Sequence, residues 1–267
     1  MKLVTLALAA ALSLAGLSAS AEALKIGVVP GAYSDAVNVA AEEAKTKGLD
    51  VEVIEFSDWT TPNSALASKD LDLNFFQHRP FLENAEKERG YDFAVVGQGI
   101  LANLGLYSLR HKSLDEIPQG GTVAIANDPV NQGRGLLLLE KTGLIKLRDG
   151  VGFLGTVDDI VENPRKLKFT EVEGPQLVRI TGDVDLAQGY PHFIVAAGTF
   201  DPTSGLAYSG IEDKQFAVSF VSRADNKDDP RIKEFIDLFH SSQAVKDQVR
   251  HSFADSDKLY ILAWQGA

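Results

Sequence analysis

The 267-residue sequence contains no cysteine and a single methionine. Without cysteine there are no disulfides, no thiolate metal sites, no cysteine nucleophile and no thiol to accept a lipid. Histidine is scarce, five in all. None pairs with another at metal-ligand spacing and no His-Glu-x-x-His pattern exists, so neither a metal nor a cofactor is expected. The net charge is −11 and no basic block interrupts it, which argues against nucleic acid or an anionic membrane surface as partner. Past the N-terminus no apolar run approaches the roughly 20 residues that cross a bilayer. There is no nucleophile elbow and no phosphate-cradling glycine loop, Gly97-Gln98-Gly99 being too short to count.

What is present starts with Lys2, an apolar stretch from Leu3 to Leu17 and the small residues Ala19-Ser20-Ala21. Residues 1–21 read as a secretory signal peptide cleaved before Glu22. With no lipid-acceptor cysteine at that site, the mature protein is expected to be periplasmic, soluble and not lipid-anchored. The remaining chain, about 246 residues, suffices for two modest lobes.

Leu24 to Val29 is a β-branched strand, followed by Pro30-Gly31 and by Ser34 as the expected N-cap of a helix that ends at Gly48. Val51 to Phe56 is a second strand, which makes the segment a parallel βαβ unit. Ligands of such sheets sit beyond the carboxyl ends of the strands, so the turn Gly31-Ala32-Tyr33-Ser34 is a candidate wall. A helix opens at Pro62-Asn63. The alternating stretch from Leu71 to Pro80 then ends in Phe75-Phe76-Gln77-His78, two aromatics, an amide and an imidazole of the kind that line a pocket. Strands are expected at Phe93–Val96 and Leu104–Leu109, and a second strand–helix series restarts at Thr122. It includes strands near Val151–Leu154 and at Lys168–Val172, a helix near Gln176–Ile180 and a strand at Asp185–Ala187. Phe216–Ser222 is a strand, and helices start at Asp229-Pro230 and at Ser242. This order predicts lobe 1 over 22–110, completed by 224–267, and lobe 2 over 111–223, with a hinged cleft between them. Nothing signals more than a monomer.

Asn127-Asp128-Pro129-Val130-Asn131-Gln132-Gly133-Arg134 lies between an apolar strand, Val123–Ala126, and the leucine run 136–139. It reads as strand, tight turn and first helical turn, where free N–H groups collect and an anion is favoured. Arg134 could grip a carboxylate there with two hydrogen bonds, or be a solvated surface arginine. The local chemistry leaves both open.

Taken together, Phe56-Ser57-Asp58-Trp59, Pro62-Asn63-Ser64-Ala65-Leu66, Asp72 to His78, Ser113-Leu114-Asp115-Glu116, Asn127 to Arg134 and Ser222-Arg223-Ala224-Asp225-Asn226 carry a resemblance. The sequence resembles, over essentially the whole mature chain, the NlpA or methionine-binding substrate-binding proteins of bacterial methionine ABC importers. The resemblance implies an α/β, two-lobe periplasmic-binding-protein fold of type II-like layout. It further implies a small amino acid or related carboxylate held between the lobes, a cognate permease and its ATPase as partners, and no catalysis. Arg134 would clamp the α-carboxylate, and Asn131 of the same stretch would also bind the ligand. Trp59, Phe76 and His78 would surround the side chain. The family's Asn-x-x-Tyr corresponds to Tyr190-Pro191-His192-Phe193 here, and a second family asparagine to Val218, with Gln188 the nearest amide. Tyr190, His192 and Val218 therefore join the expected site, and the ligand is methionine or another small organic anion. The rival of a different class is a periplasmic carboxylate dehydratase or lyase with His78 or Glu173 as acid or base.

Overall fold

Short β-branched runs that alternate with helices bury both faces of a sheet when the helices cross over it, and the hand of the strand twist fixes how they cross. The computed structural model, which describes residues 22–265, does this twice. The predicted signal peptide, residues 1–21, lies outside the described residues.

The first lobe runs through β1 (Leu24–Val28), α1 (Ala32–Thr46), β2 (Val51–Glu55), α2 (Thr61–Ala67), β3 (Leu73–His78), α3 (Arg79–Arg89), β4 (Phe93–Gln98) and the short β5 (Ile100–Ala102). The chain then crosses into the second lobe. That lobe holds β6 (Gly105–Tyr107), β7 (Thr122–Ala126), α4 (Pro129–Lys141), the ribbon β8 (Lys146–Leu147) and β9 (Ile160–Glu162), and β10 (Lys168–Val172). It continues through α5 (Leu177–Ile180), β11 (Leu186–Gly189), α6 (Pro191–Ala197) and β12 (Ala207–Tyr208). A return crossing leads to β13 (Val218–Arg223), α7 (Pro230–Ser241), α8 (Gln243–Ser252) and β14 (Tyr260–Leu262).

Each lobe is built on one five-stranded sheet. The first has the order β2-β1-β3-β13-β4 and the second β10-β7-β11-β6-β12. In both, the middle strands are parallel, β1 with β2 and β3 in one and β7 with β10 and β11 in the other, so their carboxyl ends share an edge. Those edges face each other across the cleft. β13 and β6 run antiparallel to their neighbours and are the strands next to the crossings.

The crossings fall elsewhere than the sequence indicates. β6 belongs to the second sheet and β13 to the first, so the chain changes lobes near residue 103 and again between 209 and 217, not at 110 and 223. Hydropathy marks a strand but not the sheet it joins, and the polar stretch after Leu109 is only a loop within the second lobe. Asn103 ties the two crossings together. Its Nδ2 donates to the Lys258 carbonyl (2.8 Å), and its Oδ1 accepts from the Gly210 N–H (2.9 Å) and the Ser209 hydroxyl (3.3 Å).

Three local expectations are corrected. Gly31, at φ 106°, and not Ser34, precedes α1; Ser34 sits inside the first turn and donates its hydroxyl to the Gly31 carbonyl (3.2 Å). A φ in that range suits glycine, which has no side chain to strain. Val151–Leu154 is not a strand: Gly152–Leu154 is a single 3₁₀ turn against α4. There the Phe153 carbonyl approaches so closely that a Cβ on Gly133 would lie 2.1 Å from its oxygen. Phe216 likewise ends a 3₁₀ turn, Lys214–Phe216, and the strand starts at Val218.

The lobes have separate hydrophobic cores. One gathers β1, β3, β13 and the inner faces of α1, α7 and α8 around Phe75, Phe220, Phe235 and Phe239, so the C-terminal helices do return to the first lobe. The other packs α4 against β7 and β11 around Leu136, Leu139, Ile125 and Leu186. Trp59 packs against both cores.

Candidate functional site

The eight residues singled out in the sequence, Trp59, Phe76, His78, Asn131, Arg134, Tyr190, His192 and Val218, all line one cavity between the lobes. It contains about 470 Å³ of non-atom space, the open solvent at its mouth included. Each polar residue arrives from the carboxyl end of a strand. Phe76 and His78 close β3, Asn131 and Arg134 lie in the first turns of α4 after β7, and Tyr190 and His192 follow β11.

Local sequence explains these placements. Asp128 caps α4 by accepting the Asn131 N–H (3.0 Å), with Pro129 at the first helical position, where its missing N–H is not needed. The cap fixes the turn that projects Arg134 inward. His78 caps α3 in the same manner, its Nδ1 accepting the Phe81 N–H (3.2 Å). The Phe76-Gln77-His78 end of β3 is held beneath the cavity by buried amides. Asn63 Nδ2 donates to Gln77 Oε1 (2.9 Å), and Asn63 Oδ1 accepts from Gln77 Nε2 (2.6 Å) and Asn74 Nδ2 (3.0 Å).

Arg134 is only 8% exposed. Its guanidinium carbon lies 4.2 Å from the centroid of the Phe216 ring, a cation–π contact, and Nη1 donates to Asn131 Oδ1 at 3.3 Å. It makes no ion pair among the described residues. Burial pulls its pKa down, opposed by the nearby Tyr190, Tyr33, Asp128 and Asp213.

Asn131 bridges this cluster by hydrogen bonds. Its Nδ2 donates to both Asp128 oxygens (3.1 and 3.2 Å), while its Oδ1 takes Arg134 and, at 3.2 Å, His78 Nε2. Because His78 Nδ1 already accepts, Nε2 carries the proton and donates across the cleft from lobe 1 to lobe 2. Burial, reinforced by Arg134, lowers His78 to about 3, so the ring is neutral. Burial alone brings His192 to about 3. Its Nδ1 has no partner among the described residues.

Two buried neutral histidines tie stability to pH. Below pH 6.5 the unfolded chain takes up protons that the folded chain refuses until about pH 3, so stability falls as pH drops through that window. Each such group contributes up to about 1.4 kcal/mol per pH unit; His240 acts in the same direction. Urea melts of His192→Phe between pH 6.5 and 5 should therefore show an average slope smaller by about 1 kcal/mol per unit. An unchanged slope would mean that His192 is protonated in the folded protein.

Trp59 closes the cleft from lobe 1. Its ring lies edge-on to Tyr190 (5.8 Å) and stacks near Phe193 (6.4 Å), both from lobe 2. It also rests on Gly174, where an added Cβ would stand 2.0 Å from the indole. Tyr33 meets His192 at 4.7 Å on the far side. The lobes are thus apposed, with aromatic contacts between them around the cavity.

The structure adds residues that the sequence reading did not assign. Phe216, from the return crossing, lies under the Arg134 guanidinium and edge-on to His78 (5.2 Å). Phe81 and Phe193 complete the aromatic lining, and Tyr33, read only as part of a candidate wall, joins it with Gln77. Pro191 at the start of α6 was the available signal for a helix that presents His192 and Phe193. Glu173, the alternative acid–base residue, is not in the lining; its carboxylate accepts from Asn127 Nδ2 at 2.9 Å. No group of residues that could hold a metal occurs among the described residues.

Two sheet-based lobes joined by paired crossings, with an apolar cavity and a buried cation between them, define a two-lobe substrate-binding protein of the periplasmic-binding-protein fold. Residues 24–260 match the NlpA lipoprotein family, and the chain belongs to that family. It is 44% identical over 230 residues to the D-methionine-binding lipoprotein MetQ of Escherichia coli K12, covering 84% of this chain and 83% of the relative. The structure of a nutrient binding protein from Burkholderia cenocepacia bound to methionine superposes with a TM-score of 0.84 at 38% identity, over 90% of this chain and all of the other. A periplasmic substrate-binding protein of an ABC transporter from Coxiella burnetii superposes with a TM-score of 0.81 at 36% identity, over 90% of this chain and 99% of that one.

These relatives correct one expectation. MetQ is named a lipoprotein, which contradicts the expectation of a protein that is not lipid-anchored, and that expectation is withdrawn. It rested on the absence of cysteine alone, which speaks only of attachment through a thiol of this chain.

Proposed function

We propose that the protein is the solute-binding component of an ABC importer and captures methionine or a related small carboxylate in the interlobe cavity. The observation that carries this reading is Arg134, a buried guanidinium with no anionic partner among the described residues, set in an aromatic cavity at the meeting of the two lobes. A buried cation left alone is costly, and a ligand carboxylate both neutralises it and uses its paired donors. Trp59 and Phe216 supply apolar surface for the rest of the molecule. MetQ is named for D-methionine and the Burkholderia cenocepacia protein is bound to methionine, which sets the expected size. The segment 1–21 acts as an export leader, which puts the site in the periplasm, and the closed lobes form the surface that a permease recognises.

The reading is of a binding protein rather than of an enzyme that uses His78. Both nitrogens of His78 are engaged, one by a backbone N–H and one by Asn131, so it offers no free base. A ligand should therefore leave the protein unaltered. Methionine and a panel of small carboxylates, added at about 100 times Kd, should include one that stabilises the fold by about 2.7 kcal/mol in thermal melts. Mass spectrometry should recover it unchanged. A panel without any stabilising member would overturn the reading, and a chemically converted ligand would replace it with an enzyme.

A further inference from the structure

The polar groups around the cavity differ in what they still have to offer. Arg134 is a cation, and no aspartate or glutamate lines the cavity. The amide oxygens are already engaged: Asn131 Oδ1 accepts from both His78 and Arg134, and Gln77 Oε1 accepts from Asn63. Asp128, the carboxylate just behind, gives both oxygens to Asn131. The Tyr190 hydroxyl oxygen accepts from Gln188 Nε2 (3.2 Å), which leaves its own proton to be donated. Arg134 stands close enough to Tyr190 and Tyr33 to oppose the rise that burial imposes on their hydroxyls, so these donors cluster with the guanidinium. Among these side chains the cavity gives hydrogen bonds freely and accepts few.

We propose that the ligand is a net monoanion, a small carboxylic acid with an apolar body that bears a hydroxyl or no 2-substituent in place of an ammonium group. The proposal rests on the carboxylate reading of the cavity and narrows its substrate class. A carboxylate neutralises Arg134 and accepts from the tyrosine hydroxyls. A zwitterion brings no net charge to offset the arginine, and its ammonium needs acceptors where side chains provide donors. His192 Nδ1, without a partner, can take the single proton of a hydroxyl, whereas an ammonium brings three N–H groups to that one acceptor. Sites whose polar groups match one substituent discriminate strongly against its replacement.

The test is isothermal titration at pH 7.5 of the chain, stripped of co-purified ligand by denaturation and refolding. The probes are three compounds with one side chain: methionine, its 2-hydroxy acid and its deaminated acid. The hydroxy acid should bind at least tenfold tighter than methionine, with the deaminated acid also ahead of it. Methionine binding as tightly as either acid, or more tightly, overturns the proposal and leaves the carboxylate reading standing. No binding by these three or by a wider panel of small carboxylates overturns both.

Discussion

Replacing Arg134 with methionine should abolish the ligand response while leaving the unliganded protein as stable as before or more so. The two halves of this expectation have one cause. Arg134 is 8% exposed, is held by an amide and an aromatic face, and has no ion pair among the described residues. Its desolvation is therefore only partly offset in the unliganded fold. Buried charges replaced by well-packed apolar side chains often change stability little or raise it by about 1–4 kcal/mol. The Phe216 contact returns some of that, about 0.5–2 kcal/mol. With ligand the balance reverses, because losing one partner of a buried charge pair costs about 2–5 kcal/mol, or about 30-fold to several thousand-fold in Kd. Paired melts and titrations of wild type and Arg134→Met measure both halves. A variant that keeps its affinity would remove Arg134 from the site, and one that fails to fold would make it a structural residue.

Gly174→Ala should weaken binding about 10- to 100-fold without unfolding either lobe. A Cβ at that position would stand 2.0 Å from the Trp59 indole, which reaches it from the opposite lobe. Inside a single core such overlap would force a strained repacking. Here each lobe has its own core, and the strain is relieved by moving the lobes apart. If the closed form falls to about 1–10% of molecules, the apparent affinity falls by the reciprocal of that fraction. Small-angle scattering should show a larger unliganded radius of gyration that contracts only at high ligand concentration. Unchanged scattering and affinity would mean that Trp59 adjusts within its own lobe and does not gate the cleft.

The parts of the site that were legible in the sequence are those whose chemistry is local. Asp128, Pro129, Asn131 and Arg134 lie within two helical turns, so cap, helix start and inward arginine can be read from seven residues. The end of β3 announced itself through clustered aromatics and an imidazole before a proline-started helix. Phe216 was not legible as a site residue, because its role depends on where the return crossing runs. Its apolar neighbours made it read as the start of a strand. The lobe limits failed for a related reason: β6 and β13 have ordinary strand patterns, and only pairing reveals their sheets. Val151–Leu154 shows the limit of short runs. Four residues with three apolar side chains suit a strand or a 3₁₀ turn equally, and the positive φ of Gly152 decides for the turn.

Tyr190 and His192 fall between these cases. Their place in the cavity followed from a resemblance, but the donor character of the lining emerged only from the hydrogen bonds of Gln188, Asn131 and Gln77.

The most direct test of the account is a crystal structure of the protein with its ligand, whichever member of the carboxylate panel gives the largest stabilisation. The account predicts a carboxylate bound by the Arg134 guanidinium between the apposed lobes, with Trp59 and Phe216 on the apolar body. A ligand bound outside this cavity, or inside it with Arg134 facing no anionic oxygen, would contradict it.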